Sequence, residues 1–236
     1  MADDRLSRMS LTEISGAIAK REVSSKEVVQ NTLELLENQG NSLNCVARLF
    51  TDNALNNAEL ADQELSNGNS RGILHGVPLT HKDMFYRKGE ITGCGSKICE
   101  NYTPSITATA LNKLDSSGAL DIGRLNMVEF AYGLTGHNEI IGNVHNPLSL
   151  EHITGGSSSG PAAAVSGNLS YGSLGSDTGG SIRFPASCCG LVGMKPTYGL
   201  VSRYGAMPLS FSLDHIGPIS RTVTDCALLT QIISGP

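Results

Sequence analysis

TGGSSSGPAAAVSGNLSYGSLGSDTGGSIRFP, residues Thr154 to Pro185, decides more about this chain than any other stretch. It holds two glycine-serine clusters, Gly155-Gly156-Ser157-Ser158-Ser159-Gly160 and Gly179-Gly180-Ser181. Between them Ala162 to Val165 is a run of small residues suited to a short, closely packed helix. Glycine admits positive φ and lets another backbone or a ligand come near. Each cluster offers consecutive N–H groups of the kind that receive an anion or a developing oxyanion. Serines on such turns are candidate nucleophiles or proton relays.

Outward from this segment, the chain reads as a folded globular protein. Its 236 residues suffice for a sizeable buried core, and 39% hydrophobic with 17% charged residues is an ordinary balance for one. A net charge of −5 argues against a nucleic-acid groove, which is usually basic. Met1-Ala2-Asp3-Asp4 opens with acid, and no run reaches the roughly 18 to 20 apolar residues of a membrane span. The expectation is a cytoplasmic protein with no membrane and no direct nucleic-acid partner. Cys45, Cys94, Cys99, Cys188, Cys189 and Cys226 show neither C-x-x-C pairing nor zinc-like spacing, so reduced thiols and no metal are expected.

The N-terminal part predicts helices. Ser10-x-x-Glu13 and Ser24-x-x-Glu27 are capping boxes, followed by Leu11, Ile14, Ile18 and by Val28, Val29, Leu33, Leu36. Cys45 to Phe50 predicts a strand, and Ala54, Ala58, Ala61, Leu65 a third helix. Val77 to Phe85 and Ala119 to Gly123 predict strands. Thr107 to Leu114, Asn126 to Tyr132 and Thr224 to Ile233 predict helices. Alternating strands and helices imply an α/β layered fold, a mixed β-sheet core flanked by helices. Asp121 interrupts an apolar strand and needs a partner or exposure.

A serine hydroxyl needs a base. The chain offers six histidines (His75, His81, His137, His145, His152 and His215), and a lysine can serve if burial lowers its pKa. Five of the seven lysines lie on solvated helix faces or in polar loops. Lys82 and Lys195 sit in apolar, strand-like settings, and the residues alone do not choose between them. Gly156-x-Ser158-x-Gly160, with Asp177 and His215 downstream, matches a nucleophile elbow, but the residues before it make a poor strand. A phosphate-cradling loop lacks its Gly-Lys-[Ser/Thr]. A purely structural turn explains most short matches of this kind.

Three separated motifs agree on something more specific. The signature stretch, Gly190-Leu191-Val192-Gly193-Met194-Lys195-Pro196-Thr197 and Gly76-Val77-Pro78-Leu79-Thr80-His81-Lys82-Asp83 together resemble the amidase signature family. That family comprises stand-alone amidases, fatty acid amide hydrolases and the A subunit of glutamyl-tRNA amidotransferases. The resemblance covers most of Ser10 to Gly235. It implies an amidase signature fold with Lys82 as base, Ser157 as relay and Ser181 as nucleophile, the two serines spaced without an insertion. It assigns the oxyanion hole to the N–H groups of Thr178, Gly179, Gly180 and Ser181, makes Gly156–Ser157 cis, gives Lys195 a structural role, and requires no cofactor and no metal. The three catalytic side chains should form one hydrogen-bonded chain.

The implied organisation is one domain over 1–236, with a helical part at about 1–70 and a catalytic core at about 71–236. Chains of this family usually continue further, so a truncated C-terminus is expected. It would leave Leu228, Leu229 and Ile232 partly exposed along one side and the cavity open. The implied activity is hydrolysis of a linear carboxamide through an acyl-enzyme, releasing ammonia or an amine. Two alternatives stand beside it: the glutaminase component of a tRNA-dependent amidotransferase, and a catalytically inert fragment. Glu129 to Asn138 looks more like the stand-alone enzymes. The implied partners are a small-molecule amide and either a homodimer mate or the other amidotransferase subunits.

Overall fold

The structure, a computed structural model, describes residues 3–235. In chain order the main elements are α1 (Asp4–Arg8), α2 (Leu11–Ala19), α3 (Ser25–Leu35), β1 (Val46–Leu49), α4 (Thr51–Ser66), β2 (Pro78–Lys82) and α5 (Thr109–Ser116). There follow β3 (Leu120–Leu125), α6 (Ser159–Ser166), β4 (Ser173–Asp177), α7 (Arg183–Cys188), β5 (Val192–Gly193), β6 (His215–Ser220) and α8 (Val223–Ile233). Both capping boxes form. The hydroxyls of Ser10 and Ser24 accept the N–H groups of Glu13 and Glu27, whose carboxylates accept the N–H groups of Ser10 and Ser24 in return.

The strands form two three-stranded sheets. In the first, β3 lies between an antiparallel β1 and a parallel β2; in the second, β6 lies between β4 and β5, antiparallel to both. This is the mixed α/β arrangement the sequence implies. Side chains join the sheets where β2 meets β4. Thr80 Oγ1 donates to Ser170 Oγ at 2.9 Å, and the Leu174 N–H donates to His81 Nδ1 at 3.2 Å. Burial of the His81 ring pushes its pKa down to about 3, which keeps the imidazole neutral and able to accept that bond.

Two apolar clusters flank these sheets. One joins Leu11, Ile14 and Ile18 of α2 with Leu79 of β2 and Leu229 and Ile233 of α8. The other joins Val29 and Leu33 of α3 with Ala54 of α4, Ile122 of β3, and Ala163 and Ala164 of α6. The polar interruption in β3 is resolved by pairing. Asp121 accepts from Arg87 Nε at 2.5 Å and Arg124 Nη1 at 2.7 Å, and Arg124 is fully buried. Burial opposes ionisation of Asp121, but the two guanidinium charges outweigh it and hold the carboxyl far below the usual carboxylate range.

Two sequence expectations need correction, and one stretch holds elements that no expectation covered. Asn126 to Tyr132 is not a helix: only Glu129–Ala131 forms a 3₁₀ turn, with Phe130 at φ 47° and Ala131 at φ 61°. The signature stretch contains β4 and α7, which its glycine-rich composition conceals. Among the C-terminal side chains expected to be partly exposed, Leu228 and Ile232 are, but Leu229 is buried in the first cluster. More fully exposed apolar side chains include Val223 at the start of α8 and, elsewhere, Ile98, Tyr132 and Phe211.

Candidate active site

Lys82 ends β2, a strand buried at every position, and is itself 0% exposed. Its Nζ lies 2.7 Å from Ser157 Oγ and 2.8 Å from Ser176 Oγ. No carboxylate lies within ion-pair distance of it among the described residues. Burial therefore dominates, pulling the ammonium pKa down to about 7, while the charges of Asp177 and Asp214 and the thiol of Cys94 act in the opposite sense. An amine in this position is substantially neutral at neutral pH and can accept a proton from a hydroxyl.

Ser157 is carried by a loop that main-chain bonds fix on several sides. The Gly156–Ser157 peptide is cis. Val128 N–H donates to Ser157 O at 3.2 Å, and Gly160 N–H donates to Asn126 O at 2.9 Å. At Gly160 a Cβ would lie 2.4 Å from Asn126 O and 2.7 Å from Cys45 O, so only glycine lets the start of α6 seat against these backbones. The small residues Ala162, Ala163 and Ala164 continue that close approach, all fully buried. Ser157, Ser158 and Ser159 are likewise 0% exposed.

The second serine turn, between β4 and α7, is built around a carboxylate. Asp177 Oδ1 accepts the Gly180 N–H at 2.8 Å, and Oδ2 accepts the Ile182 N–H at 3.2 Å and the Arg183 N–H at 3.4 Å. The Arg183 guanidinium closes the ring with two bonds of 2.9 Å. Burial opposes the charge on Asp177, yet these five donors hold its pKa below the usual carboxylate value. The Gly180 N–H, one of the expected oxyanion donors, is thus directed to Asp177. The N–H groups of Thr178, Gly179 and Ser181 donate to no acceptor among the described residues. The two turns touch where Ser158 N–H donates to Ser181 O at 3.3 Å.

Of the anticipated chain, then, Lys82 and Ser157 are in hydrogen-bond contact, whereas the Ser181 hydroxyl makes no hydrogen bond to Ser157. Ser181 is 4% exposed. The other sequence candidates separate from the cluster. Lys195 is half-buried and donates to Pro196 O. His215 Nδ1–H donates to the main-chain oxygens of Leu213 and Asp177. Ser158, the elbow candidate, bonds the backbone of Ser176 and no histidine.

Two participants are not evident from the sequence motifs. Ser176 is one of many serines in a serine-rich stretch, and only the β2–β4 juxtaposition brings it to Lys82. Asp177 has a legible signal, an Asp immediately before a Thr-Gly-Gly turn with an arginine six residues on.

A cavity of about 320 Å³ has Ser176 in its wall, together with Met84, Tyr86, Tyr204, Met207 and Phe211. It is mostly apolar, with Asp214 at its edge tied to Thr178 Oγ1 at 2.5 Å. A larger cavity of about 370 Å³ lies beside the Arg87–Asp121 pair, with no catalytic candidate in its wall. Of the two, only the smaller has a hydrogen-bond partner of Lys82, Ser176, in its wall.

Comparison with known proteins agrees on one family: residues 27–236 match Amidase. The A subunit of the Bdellovibrio bacteriovorus glutamyl-tRNA(Gln) amidotransferase is 48% identical over 226 residues, 96% of this chain and 46% of that protein. A crystal structure of an amidase superimposes with TM-score 0.90 at 41% identity, covering 95% of this chain and 51% of the other. The peptide amidase of Stenotrophomonas maltophilia gives 0.92 at 35% identity, covering 97% and 48%. The chain spans about half the length of the curated relatives it matches.

Proposed function

The chain belongs to the amidase family, and from that premise we propose that it hydrolyses a carboxamide through Lys82, Ser157 and Ser181. The observation that carries the reading is the Lys82 amine, fully buried, without a carboxylate partner and 2.7 Å from Ser157 Oγ. Neutral Lys82 accepts the Ser157 proton, and Ser157 accepts that of Ser181. Ser181 Oγ bonds to the amide carbon. The oxyanion is received by the unengaged N–H groups of Thr178, Gly179 and Ser181, each donor worth about 3 kcal/mol of barrier. Collapse breaks the C–N bond, and ammonia or an amine leaves with the proton returned along the relay. Water then cleaves the Ser181 ester by the same relay, releasing the acid. No metal or cofactor enters this scheme.

The test is ammonia release from a panel of small carboxamides. It is combined with a fluorophosphonate probe, whose P–F bond is replaced by a bond to the activated hydroxyl. Labelling at Ser181 that is lost in Lys82→Ala supports the reading. Labelling elsewhere, or full turnover in Ser181→Ala, would falsify it.

A second reading, the glutaminase component of a tRNA-dependent amidotransferase, is favoured by the name of the curated relatives at 44 to 48% identity. The same relay would then release ammonia from glutamine for use within a complex. Glutamine hydrolysis that emerges only when the partner subunits are added would select it.

A further inference from the structure

We propose that Cys94 and Cys99 are a reversible oxidation site, at which a hydroperoxide closes the two thiols into a disulfide beside the strand that carries Lys82. The bond itself is independent of the amide-hydrolysis reading. Only its effect on turnover rests on that reading.

The chain folds back on itself between the two cysteines. Cys94 at φ 53° and Gly95 at φ 64° are the central residues of a tight turn, closed by the Ser96 N–H donating to Gly93 O at 2.9 Å. At Gly95 a Cβ would lie 2.6 Å from Met127 O, so glycine lets this turn seat against the neighbouring backbone. A second turn follows over Lys97–Cys99, where the Cys99 N–H donates to Ser96 O at 3.2 Å. Both side chains end in the first apolar cluster. Cys94 is 1% exposed within it, and Cys99, half-buried, packs against it. There the two thiols interact with each other, and both act on the Tyr86 phenol. Both are free.

Access sets the order of events. Burial pushes the Cys94 thiol up, which opposes the thiolate that attacks peroxides. Cys99 is half-buried beside Ile98, a strongly exposed side chain, so the oxidant meets Cys99 first. Its sulfur breaks the O–O bond of hydrogen peroxide and keeps one oxygen as a sulfenic acid, and the other leaves as water. Cys94 Sγ then displaces the sulfenic oxygen, its own proton leaves with that oxygen as a second water, and the S–S bond forms. A dithiol reverses the step and is itself oxidised to a disulfide. The loop also touches the candidate site from two sides. The Cys94 N–H donates at 2.9 Å to the main-chain oxygen of Asp83, the residue after Lys82, and Cys94 O accepts the Phe130 N–H at 3.0 Å. Two residues before Phe130, the Val128 N–H holds Ser157 O. Tyr86, in the wall of the apolar cavity, meets Tyr102 edge-on at 5.6 Å, and the Tyr102 N–H donates to Cys99 O at 3.0 Å. Drawing the two sulfurs to a bond of about 2.05 Å pulls on all of these anchors together.

The experiment treats the full chain with hydrogen peroxide and maps disulfide-linked peptides before and after dithiothreitol. Carboxamide turnover is followed in parallel, for wild type, Cys99→Ser and Cys99→Ala, two variants so that a folding defect in one leaves the other. The wild type should yield a linked Cys94–Cys99 peptide and lose turnover about tenfold, part of the roughly hundredfold cost of a misplacement of about 1 Å near the chemistry. Dithiothreitol should restore both. The variants should turn over as the wild type does before treatment and resist the peroxide. Absence of the linked peptide overturns the proposal, as does an equal loss of turnover in a Cys99 variant. A linked pair with undiminished turnover overturns its connection to the candidate site. A wild type that forms the bond yet hydrolyses no carboxamide overturns the amide-hydrolysis reading and leaves the oxidation site standing.

Discussion

Two buried basic residues sit on neighbouring strands, on opposite faces of the sheet, and have opposite fates. In the β2–β3 register Lys82 pairs with Leu125 and His81 with Arg124, so the two side chains are offset by one position, and both are fully buried. Arg124 meets the carboxylate of Asp121 in a two-bond contact. Lys82 meets only the hydroxyls of Ser157 and Ser176, and its ammonium form is disfavoured. Burial is common to both; the counter-ion decides. A paired buried cation is a strut, and an unpaired buried amine gains the proton affinity that a base would need.

The sharpest test of that contrast is catalytic. Lys82→Ala and Ser181→Ala should each reduce amide turnover by roughly 10⁴ to 10⁶, and the double variant should be little worse than either single, as for residues acting as a unit. A strictly multiplicative loss in the double-variant kinetics would separate the lysine from the relay. On the strut side, Asp121→Asn leaves Arg124 and Arg87 without their shared carboxylate and should destabilise by about 3 to 5 kcal/mol. Urea unfolding measures it. The surviving folded protein should keep most of its activity, and a selective loss of kcat at unchanged stability would break the distinction.

The pH behaviour follows from the same two groups. Turnover should rise through about pH 7 as Lys82 loses its proton, read from kcat/KM profiles. Stability obeys linkage. With the folded pKa near 7 and an ordinary unfolded value near 10.5, the unfolded chain binds more protons between them, so the penalty of burying Lys82 is full below 7 and eases as pH rises to 10.5. Lys82→Met should therefore stabilise the protein, by about 1 to 3 kcal/mol near pH 6 and less near pH 10, as thermal melts would reveal. Asp121 acts with the same slope in a lower pH window. Its depressed pKa contributes stability above the ordinary carboxylate range, and that stability is lost as pH falls. The smallest effect is expected for Ser176→Ala, which removes one partner of the amine and should slow turnover roughly fivefold, the equivalent of about 1 kcal/mol. No change at all would mean that Ser157 alone orients Lys82.

The capped N-terminal helices are legible because their causes are local. The capping boxes at Ser10 and Ser24 and the apolar spacing that follows them act within a few residues, and so does the Ala54, Ala58, Ala61 stripe of α4. The candidate site residues are legible through three motifs rather than through chemistry, since residue types alone leave Lys82 and Lys195 level. The fold separates that pair: Lys82 is sealed between β2 and β4, and Lys195 is half-buried. It also brings Ser176 to the amine, gives Asp121 the arginines that the strand lacks, and turns the Gly180 N–H toward Asp177. The 126–132 segment misleads because apolar residues at helical spacing are contradicted by positive φ at Phe130 and Ala131. Local propensity and spacing are written along the chain, but burial, counter-ions and hydrogen-bond partners depend on which strands meet. Residue order alone says which groups are available. Packing decides which of them are charged, which are neutral and which face one another.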